Sequence, residues 1–228
     1  MKQYRIVVLG GGAAGIVTAM GAAGMGISVA LVEKERIGGE CSWSGCVPSK
    51  ALLAAAKEVH RIRQAEKWGV TIGAGIDVSG VPAKVRELTQ RAADRSQTVA
   101  LLKASGVEIY YGAPRFVAAN EVVVGGEHLC GEDIVLATGS SPVRPANIGL
   151  ETVPYVTNQQ IFDLETVPAS LGVIGGGPIG VEMAQAFARL GSAVTLFQSA
   201  SQILPHDDRE LADALAEILR QEGITIHL

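Results

Sequence analysis

Cysteine and charge are both scarce in this chain. Its 228 residues contain three cysteines, too few for a disulphide scaffold, so a reactive pair in a reducing compartment fits this number better. Charged residues make up 18% of the chain, the formal net charge is −4, and no basic patch or stripe is present. This composition argues against nucleic acid as a main partner.

Charged side chains are absent altogether from residues 6–32, a run long enough to suggest a membrane span. Seven of these residues are glycine, and much of the remainder is alanine, which is only weakly apolar. A signal peptide would need a cleaved N-terminus, yet a glycine-rich motif begins almost at once. We therefore expect a cytoplasmic protein with no membrane partner.

The early glycines belong to a βαβ pattern. An apolar, β-branched run over 4–9 predicts a buried parallel strand, and it leads into G-x-G-x-x-G at 10–15. A helix and a second strand over 28–32 follow, and Glu33 ends that strand. In such a pattern the helix N-terminus takes a pyrophosphate, and Glu33 can accept hydrogen bonds from ribose hydroxyls. With all parts in register, the pattern is a strong indication of a dinucleotide site.

The same pattern recurs 165 residues later. A strand is predicted over 170–174, then Gly175-Gly176-Gly177-Pro178-Ile179-Gly180, a helix over 181–190 and a strand over 193–197. This period is too long for a solenoid and implies a second dinucleotide site. Where an NAD site normally has Asp or Glu and an NADP site has a nearby Arg, this chain has Gln198. The amide can bond ribose hydroxyls without repelling a phosphate, so NADH and NADPH both remain open.

Between the two patterns the sequence predicts one long helix over 81–104. Short strands are predicted over 107–111, 115–118, 121–124 and 133–136. The expected fold class is α/β: a Rossmann-like domain with a small antiparallel β-meander, followed by a partial second Rossmann-like unit. We place the domains at 1–150 and 151–228.

Two cysteines, Cys41 and Cys46, lie five residues apart. In a regular helix that spacing gives a Cα separation of about 8–9 Å, whereas a disulphide needs about 5.5 Å. A bonded pair must therefore leave the helical path, which Gly45 and two serines favour. Because Pro48 is tolerated only in a first helical turn, regular helix is predicted to begin near Cys46. That start would put the Cys46 thiol near the positive helix end, where the thiolate is favoured.

Two interpretations of the pair are open at this point. It is either a dithiol that opens and closes or a structural or metal-binding pair. Zinc would need two more soft ligands, and the third cysteine, Cys130, is isolated. We expect Cys130 to be a small buried residue near the start of a strand, and we predict no metal site.

The run from Gly38 to Lys50, GGECSWSGCVPSK, closely resembles the redox motif of the class I pyridine nucleotide–disulphide oxidoreductases. These flavoproteins include dihydrolipoamide dehydrogenase, glutathione reductase and mercuric reductase, and the Cys-Val-Pro-Ser-Lys ending is most similar to mercuric reductase. The resemblance implies that electrons pass from NAD(P)H to FAD, to the Cys41–Cys46 disulphide, and then to a small-molecule or metal-ion acceptor. It also implies that Cys46 faces the flavin, that Cys41 is the interchange thiol, and that the full-length protein is a homodimer.

The resemblance assigns FAD to the first site and NAD(P)H to the second. Lys50 and Glu182 would pair beside the flavin, where a positive charge would stabilise its reduced, anionic form. The implied FAD contacts are Gly10, Gly12, Ala14, Gly15, Glu33, Lys34, Gly39, Glu40, Ala113, Ala137, Thr138 and Gly139. The implied NAD(P)H contacts are Gly175, Gly177, Ile179, Gly180 and Gln198.

The family that the chain resembles continues with the rest of the NAD(P) domain, a return to the FAD domain and a dimerisation domain. That last domain supplies a His-Glu acid–base pair, which none of the four histidines here matches. We therefore expect this chain to correspond to the front portion of the family architecture and to be inactive alone. The alternative is a non-catalytic dinucleotide-binding fragment.

Overall fold

The computed structural model describes residues 1–73, 75–145 and 149–228. They divide into two compact units, a first unit of 1–47 with 89–159 and a second unit of 48–88 with 160–228. Residues 48–88 thus pack with the C-terminal part of the chain, which sequence order alone does not reveal. The domains proposed above, 1–150 and 151–228, stay a prediction.

The first unit is built on a six-stranded sheet with the order β3-β2-β1-β6-β5-β4. Its strands are β1 (Lys2–Leu9), β2 (Val29–Glu33), β3 (Glu108–Tyr111), β4 (Arg115–Ala118), β5 (Glu121–Val124) and β6 (Glu127–Leu136). The strands β3, β2, β1 and β6 are parallel, and β5 and β4 extend the sheet as an antiparallel meander. This is the predicted Rossmann-like α/β arrangement with a small meander.

Both faces of the parallel strands are covered, which explains why the second half of β1 and nearly all of β2 are apolar. On one face, Val8 and Leu31 pack with Ala19 of α1 (Ala13–Gly24) and Leu102 of α5 (Thr98–Ala104). The other face shares a cluster with the meander, made of Tyr4, Val7, Leu9, Ala30, Val32, Val122, Val124 and Leu129. This burial fixes the carboxyl ends of β1 and β2, from which the first glycine motif leaves.

The uncharged run over 6–32 folds into β1, α1 and β2 rather than into one long helix. Three of its glycines, Gly10 to Gly12, make the turn between β1 and α1. Within the described ranges, no helix combines the length and the apolar character needed to cross a membrane.

Strand β6 is longer than the strand predicted over 133–136, because it changes partners along its length. Its first residues pair antiparallel with β5, from Glu127 opposite Val124 to Cys130 opposite Glu121. It also runs parallel to β1 from Leu129 to Leu136. Gly131 interrupts the apolar pattern, and a side chain there would lie 2.8 Å from the Asp133 carbonyl oxygen. Tight packing requires a glycine here, and because this glycine interrupts the apolar pattern, the sequence predicted only the last part of the strand.

The prediction of a single helix over 81–104 is wrong, because the structure has two helices there. These are α4 (Val81–Arg95) and α5, and Gln97 between them has φ +49°. Ser96 accounts for the break: its hydroxyl donates to the Ala93 carbonyl at 2.8 Å and lies 3.4 Å from the Thr98 N–H. A serine that bonds nearby backbone in this way competes with helical hydrogen bonds.

The second unit contains a three-stranded parallel sheet with the order β7-β8-β9. Its main elements are β7 (Ser170–Ile174), α6 (Pro178–Leu190), β8 (Ala193–Phe197), α7 (Arg209–Gln221) and β9 (Thr225–His227). Helix α3 (Cys46–Gln64) adds Leu52 and Ala56 to the apolar cluster that contains Phe187 and Leu196. Single 3₁₀ turns lie at Ala65–Trp68 and Ile161–Asp163. Strands β7 and β8 have the predicted bounds.

Candidate redox and dinucleotide-binding sites

The first glycine motif forms a sharp turn between β1 and α1. Gly10 has φ +112°, and its N–H donates to the Val32 carbonyl at 2.8 Å. At Gly15, in the first turns of α1, a Cβ would overlap the Gly10 carbonyl oxygen. Gly12 caps α1 without a side-chain hydrogen bond, so the first N–H groups of the helix face outward with no side chain to cap them. Such a helix end is suited to an anionic group.

Glu33 ties the end of β2 to this turn. Glu33 is 7% exposed, and its Oε2 accepts from the Gly11 N–H at 2.6 Å. Oε1 accepts from the Glu35 N–H at 2.7 Å. Sequence reasoning identified the acid but missed these backbone bonds, since spacing alone does not show which amides face it. The neighbouring Lys34 is exposed and pairs with Glu35 at 3.3 Å.

The other residues assigned to this site follow the ends of neighbouring strands. The Ala137 N–H donates to the Leu9 carbonyl at 2.8 Å. The Ala137 carbonyl in turn occupies the space where Gly10 would carry a Cβ. Gly139 has φ +70°, which favours glycine at that position. Ala113 follows Gly112, whose N–H donates to the Glu33 carbonyl at 2.9 Å. The carboxyl ends of β1, β2, β3 and β6 thus meet at one edge of the sheet.

Cys41 and Cys46 form a disulphide with a Cα separation of 4.6 Å. The helix α2 (Gly39–Trp43) ends before Gly45, and α3 begins at Cys46, so the chain leaves the helical path between the thiols as predicted. A Cβ on Gly45 would lie 3.0 Å from the Glu40 carbonyl oxygen, so this glycine is needed for close approach. Cys46 is exposed and Cys41 is half-buried. The predicted pairing is confirmed.

Cys130 is the free cysteine. It is half-buried within β6 rather than buried near the start of a strand, and the Asn120 side-chain amide lies 3.4 Å from its sulphur. Among the residues that the structure describes, no three His, Cys, Asp or Glu side chains are placed to hold a metal ion together.

The segment that precedes Cys41 packs directly on the first glycine motif. The Gly38 N–H donates to the Gly11 carbonyl at 2.8 Å. Gly39 has φ +56°, and a Cβ there would lie 2.7 Å from the Gly12 Cα. Both glycines are therefore required, and the redox segment begins on the loop that caps α1.

Three side chains that sequence reasoning did not identify hold this segment. Asn158 donates through Nδ2 to Glu40 Oε1 at 2.5 Å. Trp43 donates through Nε1 to the Ile37 carbonyl at 3.0 Å, and the Arg36 guanidinium lies 4.1 Å from the centre of its ring. A tryptophan between two redox cysteines was the available signal, but its partners are set by the fold.

The second glycine motif repeats this geometry between β7 and α6. Gly175 has φ +108° and donates to the Phe197 carbonyl at 2.8 Å. A Cβ on Gly180 would overlap the Gly175 carbonyl oxygen. Gly177 caps α6 without a side-chain hydrogen bond, and Ile179 in the first turn is 57% exposed. The end of α6 is therefore also suited to an anionic group.

Lys50 and Glu182, both in the second unit, are in contact. Lys50 Nζ lies 2.7 Å from Glu182 Oε1 and 3.0 Å from Oε2. The two side chains are 63% and 39% exposed. The resemblance implied that these two residues pair although they are 132 positions apart, and the structure brings them together.

The profile of the pyridine nucleotide-disulphide oxidoreductases matches residues 4–228 of this chain. The chain belongs to that family. Dihydrolipoyl dehydrogenase of Acholeplasma laidlawii is 38% identical to it over 235 residues, which cover 99% of this chain and 68% of the relative. Mercuric reductase of Bacillus cereus is 33% identical over 225 residues, covering 98% of this chain and 36% of the relative.

A solved structure, the Cu(II) complex of the HOCl-induced flavoprotein disulfide reductase RclA from Escherichia coli, has a similar fold. Its TM-score is 0.84 at 31% identity, and the match covers 100% of this chain and 49% of RclA. The chain spans about half the length of many relatives. Its match to dihydrolipoyl dehydrogenase from Thermus scotoductus, for example, covers 49% of that relative. Members of this oxidoreductase family use FAD and NAD(P)H.

The residues present fit a dinucleotide in both places. Each motif offers an uncapped helix N-terminus and glycines at positions where a side chain would block the turn. In the first motif the close contact of Gly39 with Gly12 leaves only backbone beside the helix end. This donor set of backbone N–H groups is what a pyrophosphate needs.

Proposed function

We propose that the protein is an FAD-dependent oxidoreductase that passes electrons from NAD(P)H through FAD and the Cys41–Cys46 pair to an acceptor. The observation that carries this proposal is the Cys41–Cys46 disulphide, formed in a segment whose start packs on the first glycine motif. A structural disulphide would not need that proximity to a dinucleotide loop.

FAD would bind with its pyrophosphate at the N-terminus of α1. Gly10, Gly12 and Gly15 shape that loop, and Glu33 holds it from β2 and would also accept a hydrogen bond from an adenosine ribose. When bound, FAD supplies a carrier that accepts a hydride and releases electrons to a disulphide. NAD(P)H would bind in the same manner at α6, through Gly175, Gly177 and Gly180.

The chain's own residues would manage thiolate and charge. Opening the Cys41–Cys46 bond takes up two electrons and two protons and gives two thiols. Cys46 begins α3, where the positive end of the helix stabilises a thiolate. Cys41 would then exchange with the acceptor. Lys50 would place a positive charge beside the flavin, and Glu182 balances that charge.

The acceptor that we propose is a small disulphide or a thiophilic metal ion. The names of the relatives support this range, since they include mercuric reductase, dihydrolipoyl dehydrogenase and a flavoprotein disulfide reductase solved with Cu(II). We also propose that the protein is a homodimer in the cytoplasm, as the resemblance implies.

Reductive titration of the FAD-loaded chain tests this function. The unsubstituted protein should take up four electrons per FAD, two in the flavin and two in the disulphide, whereas Cys41→Ser should take up two. Cys130→Ser is the matched control and should still take up four. Failure of the unsubstituted chain to bind FAD would contradict the proposal. Uptake of only two electrons per FAD by all three proteins would contradict it as well.

Steady-state oxidation of NADH or NADPH, with FAD added, tests the inactivity expected from the sequence. Turnover far below the ~10 s⁻¹ that is typical of enzymes would agree with it. Turnover near that value would show that these 228 residues suffice for the reaction.

A further inference from the structure

Gln198 occupies the same place in the second βαβ unit that Glu33 occupies in the first. Each side chain accepts a hydrogen bond from the middle glycine of its own motif, 22 residues earlier in both cases. Glu33 accepts from Gly11 at 2.6 Å, and Gln198 Oε1 accepts from Gly176 at 3.4 Å. The position is therefore tied to the loop in both units, and it carries a charge only in the first.

The orientation of the Gln198 amide follows from its neighbours. Its Oε1 is shared by two backbone donors, the N–H groups of Gly176 and Ser199, the latter at 3.1 Å. Because both are donors, the oxygen must face them and the NH₂ group must face away. Within the described residues, that NH₂ group has no hydrogen-bond partner. It can donate to a ribose hydroxyl oxygen or equally to a phosphate oxygen.

The loop that follows carries no lysine or arginine that would favour a phosphate over a ribose hydroxyl. Residues 199–208 contain no lysine or arginine, and their carboxylates are Asp207 and Asp208. The Asp208 carboxylate is turned into the first turn of α7, where it accepts from the Glu210 N–H at 2.9 Å. Arg209, the next cation along the chain, pairs with Asp213 at 3.4 Å. His206 is exposed and is the remaining titratable side chain of the loop.

From this arrangement we infer that the second motif accepts NADH and NADPH with similar affinity, and that Gln198 is the residue that keeps both acceptable. The inference rests on the proposed function, because it presupposes that the motif binds NAD(P)H. A carboxylate at this position would repel a 2′-phosphate, whereas a nearby guanidinium would favour a 2′-phosphate. This loop has neither group at the ribose position. The neutral amide leaves the choice open.

The test uses the two nucleotide halves that differ only at the 2′ position. Isothermal titration of the FAD-loaded 228-residue chain with ADP-ribose and with 2′-phospho-ADP-ribose needs no turnover, and because FAD fills the first loop each probe reports on the second motif. We expect dissociation constants that agree within about tenfold. Gln198→Glu should weaken the phosphorylated probe by about tenfold or more, as added like charge does at close range, and should leave ADP-ribose within about threefold.

Gln221→Glu is the charge-matched control, since it adds the same charge on α7, roughly 18 Å along the helix from its first residue. It should leave both dissociation constants unchanged. Binding of ADP-ribose with a hundredfold or greater loss for the phosphorylated probe would overturn the inference and leave the NAD(P)H site standing. Equal weakening of both probes by Gln198→Glu would also overturn it. Failure of both probes to bind the unsubstituted chain would instead remove the proposed NAD(P)H site itself.

Discussion

Gly10 and Gly175 begin the same turn in two places, with φ values of +112° and +108°. In both turns the glycine donates a 2.8 Å hydrogen bond to the strand that follows the helix. Gly12 and Gly177 then cap their helices with extended backbone, at φ −80° and −75°. Two stretches of sequence 165 residues apart thus reach nearly the same local geometry from the same glycine spacing.

The surroundings of the two turns differ. In the first, a Cβ on Gly10 would collide with the Ala137 carbonyl, because β6 lies beside β1, and Gly39 lies against Gly12. In the second, a Cβ on Gly175 or Gly177 would meet no atom within 4 Å in the described part of the chain. The comparison teaches that local sequence determines the turn, whereas distant segments determine how closely it is enclosed.

The largest effects are expected where the two turns are alike. Gly15→Ala and Gly180→Ala each force a Cβ onto a carbonyl oxygen, so each should lower the free energy of unfolding by about 3 kcal/mol or more, the upper end for overpacking. Urea unfolding measures this loss. Gly15→Ala should remove FAD binding alone and Gly180→Ala should remove ADP-ribose binding alone. Crossed ligand losses would break the equivalence of the two turns.

An unequal effect is expected where the turns differ. Gly175→Ala meets only backbone strain and should cost about 1–3 kcal/mol. Gly10→Ala meets the same strain plus the Ala137 carbonyl, so its cost should exceed that of Gly175→Ala by about 1–3 kcal/mol. Paired urea unfolding curves measure the difference. Equal costs would show that the enclosure by β6 does not constrain the first turn.

Substitution of Glu33 tests whether the enclosed first loop contributes to FAD binding. Glu33→Ala removes the acceptor for the Gly11 and Glu35 N–H groups and should weaken FAD binding by about 1–3 kcal/mol, the scale for a charged hydrogen bond. Equilibrium dialysis or flavin fluorescence measures the affinity. Glu35→Ala, which removes an exposed neighbouring carboxylate, should leave it unchanged. Full retention of flavin by Glu33→Ala would exclude the assigned role.

The smallest effect is expected at Lys50 and Glu182 in the second unit. Because the pair is exposed, a double-mutant cycle with Lys50→Met and Glu182→Gln should give a coupling of about 0–1 kcal/mol in unfolding. The pair Arg189–Glu222, with side chains 19% and 12% exposed, is the control and should give a larger value. A strong coupling at Lys50 would mean that the pair serves stability and not charge placement.

The sequence predicted the parts of the molecule that depend on local pattern. β7 and β8 have the expected bounds because the apolar pattern over 170–197 depends only on neighbouring residues. α3 begins at Cys46 because Pro48 fits a helix only in its first turn. The pairing of Cys41 with Cys46 was implied by the resemblance of the run from Gly38 to Lys50 to the redox motif of the family.

What the sequence did not predict depends on contacts between distant residues. Ser96 breaks the helix over 81–104 without any glycine or proline to announce it. β6 continues through Gly131 because β1 and β5 pair with it on opposite sides. The bond between Glu33 and Gly11 was equally hidden, since it depends on how the turn is folded against the end of β2.

The contact of Gly38 and Gly39 with Gly11 and Gly12 has a thermodynamic consequence. The loop that would hold a pyrophosphate and the segment that carries Cys41 share backbone contacts, so opening the disulphide can alter the affinity of that loop. By linkage, any such change is reciprocal: a ligand that prefers one redox state shifts the reduction potential toward it. For a two-electron couple, a tenfold preference corresponds to about 30 mV. ADP, which carries the pyrophosphate without a flavin, can measure both sides of this cycle, and equal affinities in the two redox states would show that the contact transmits nothing.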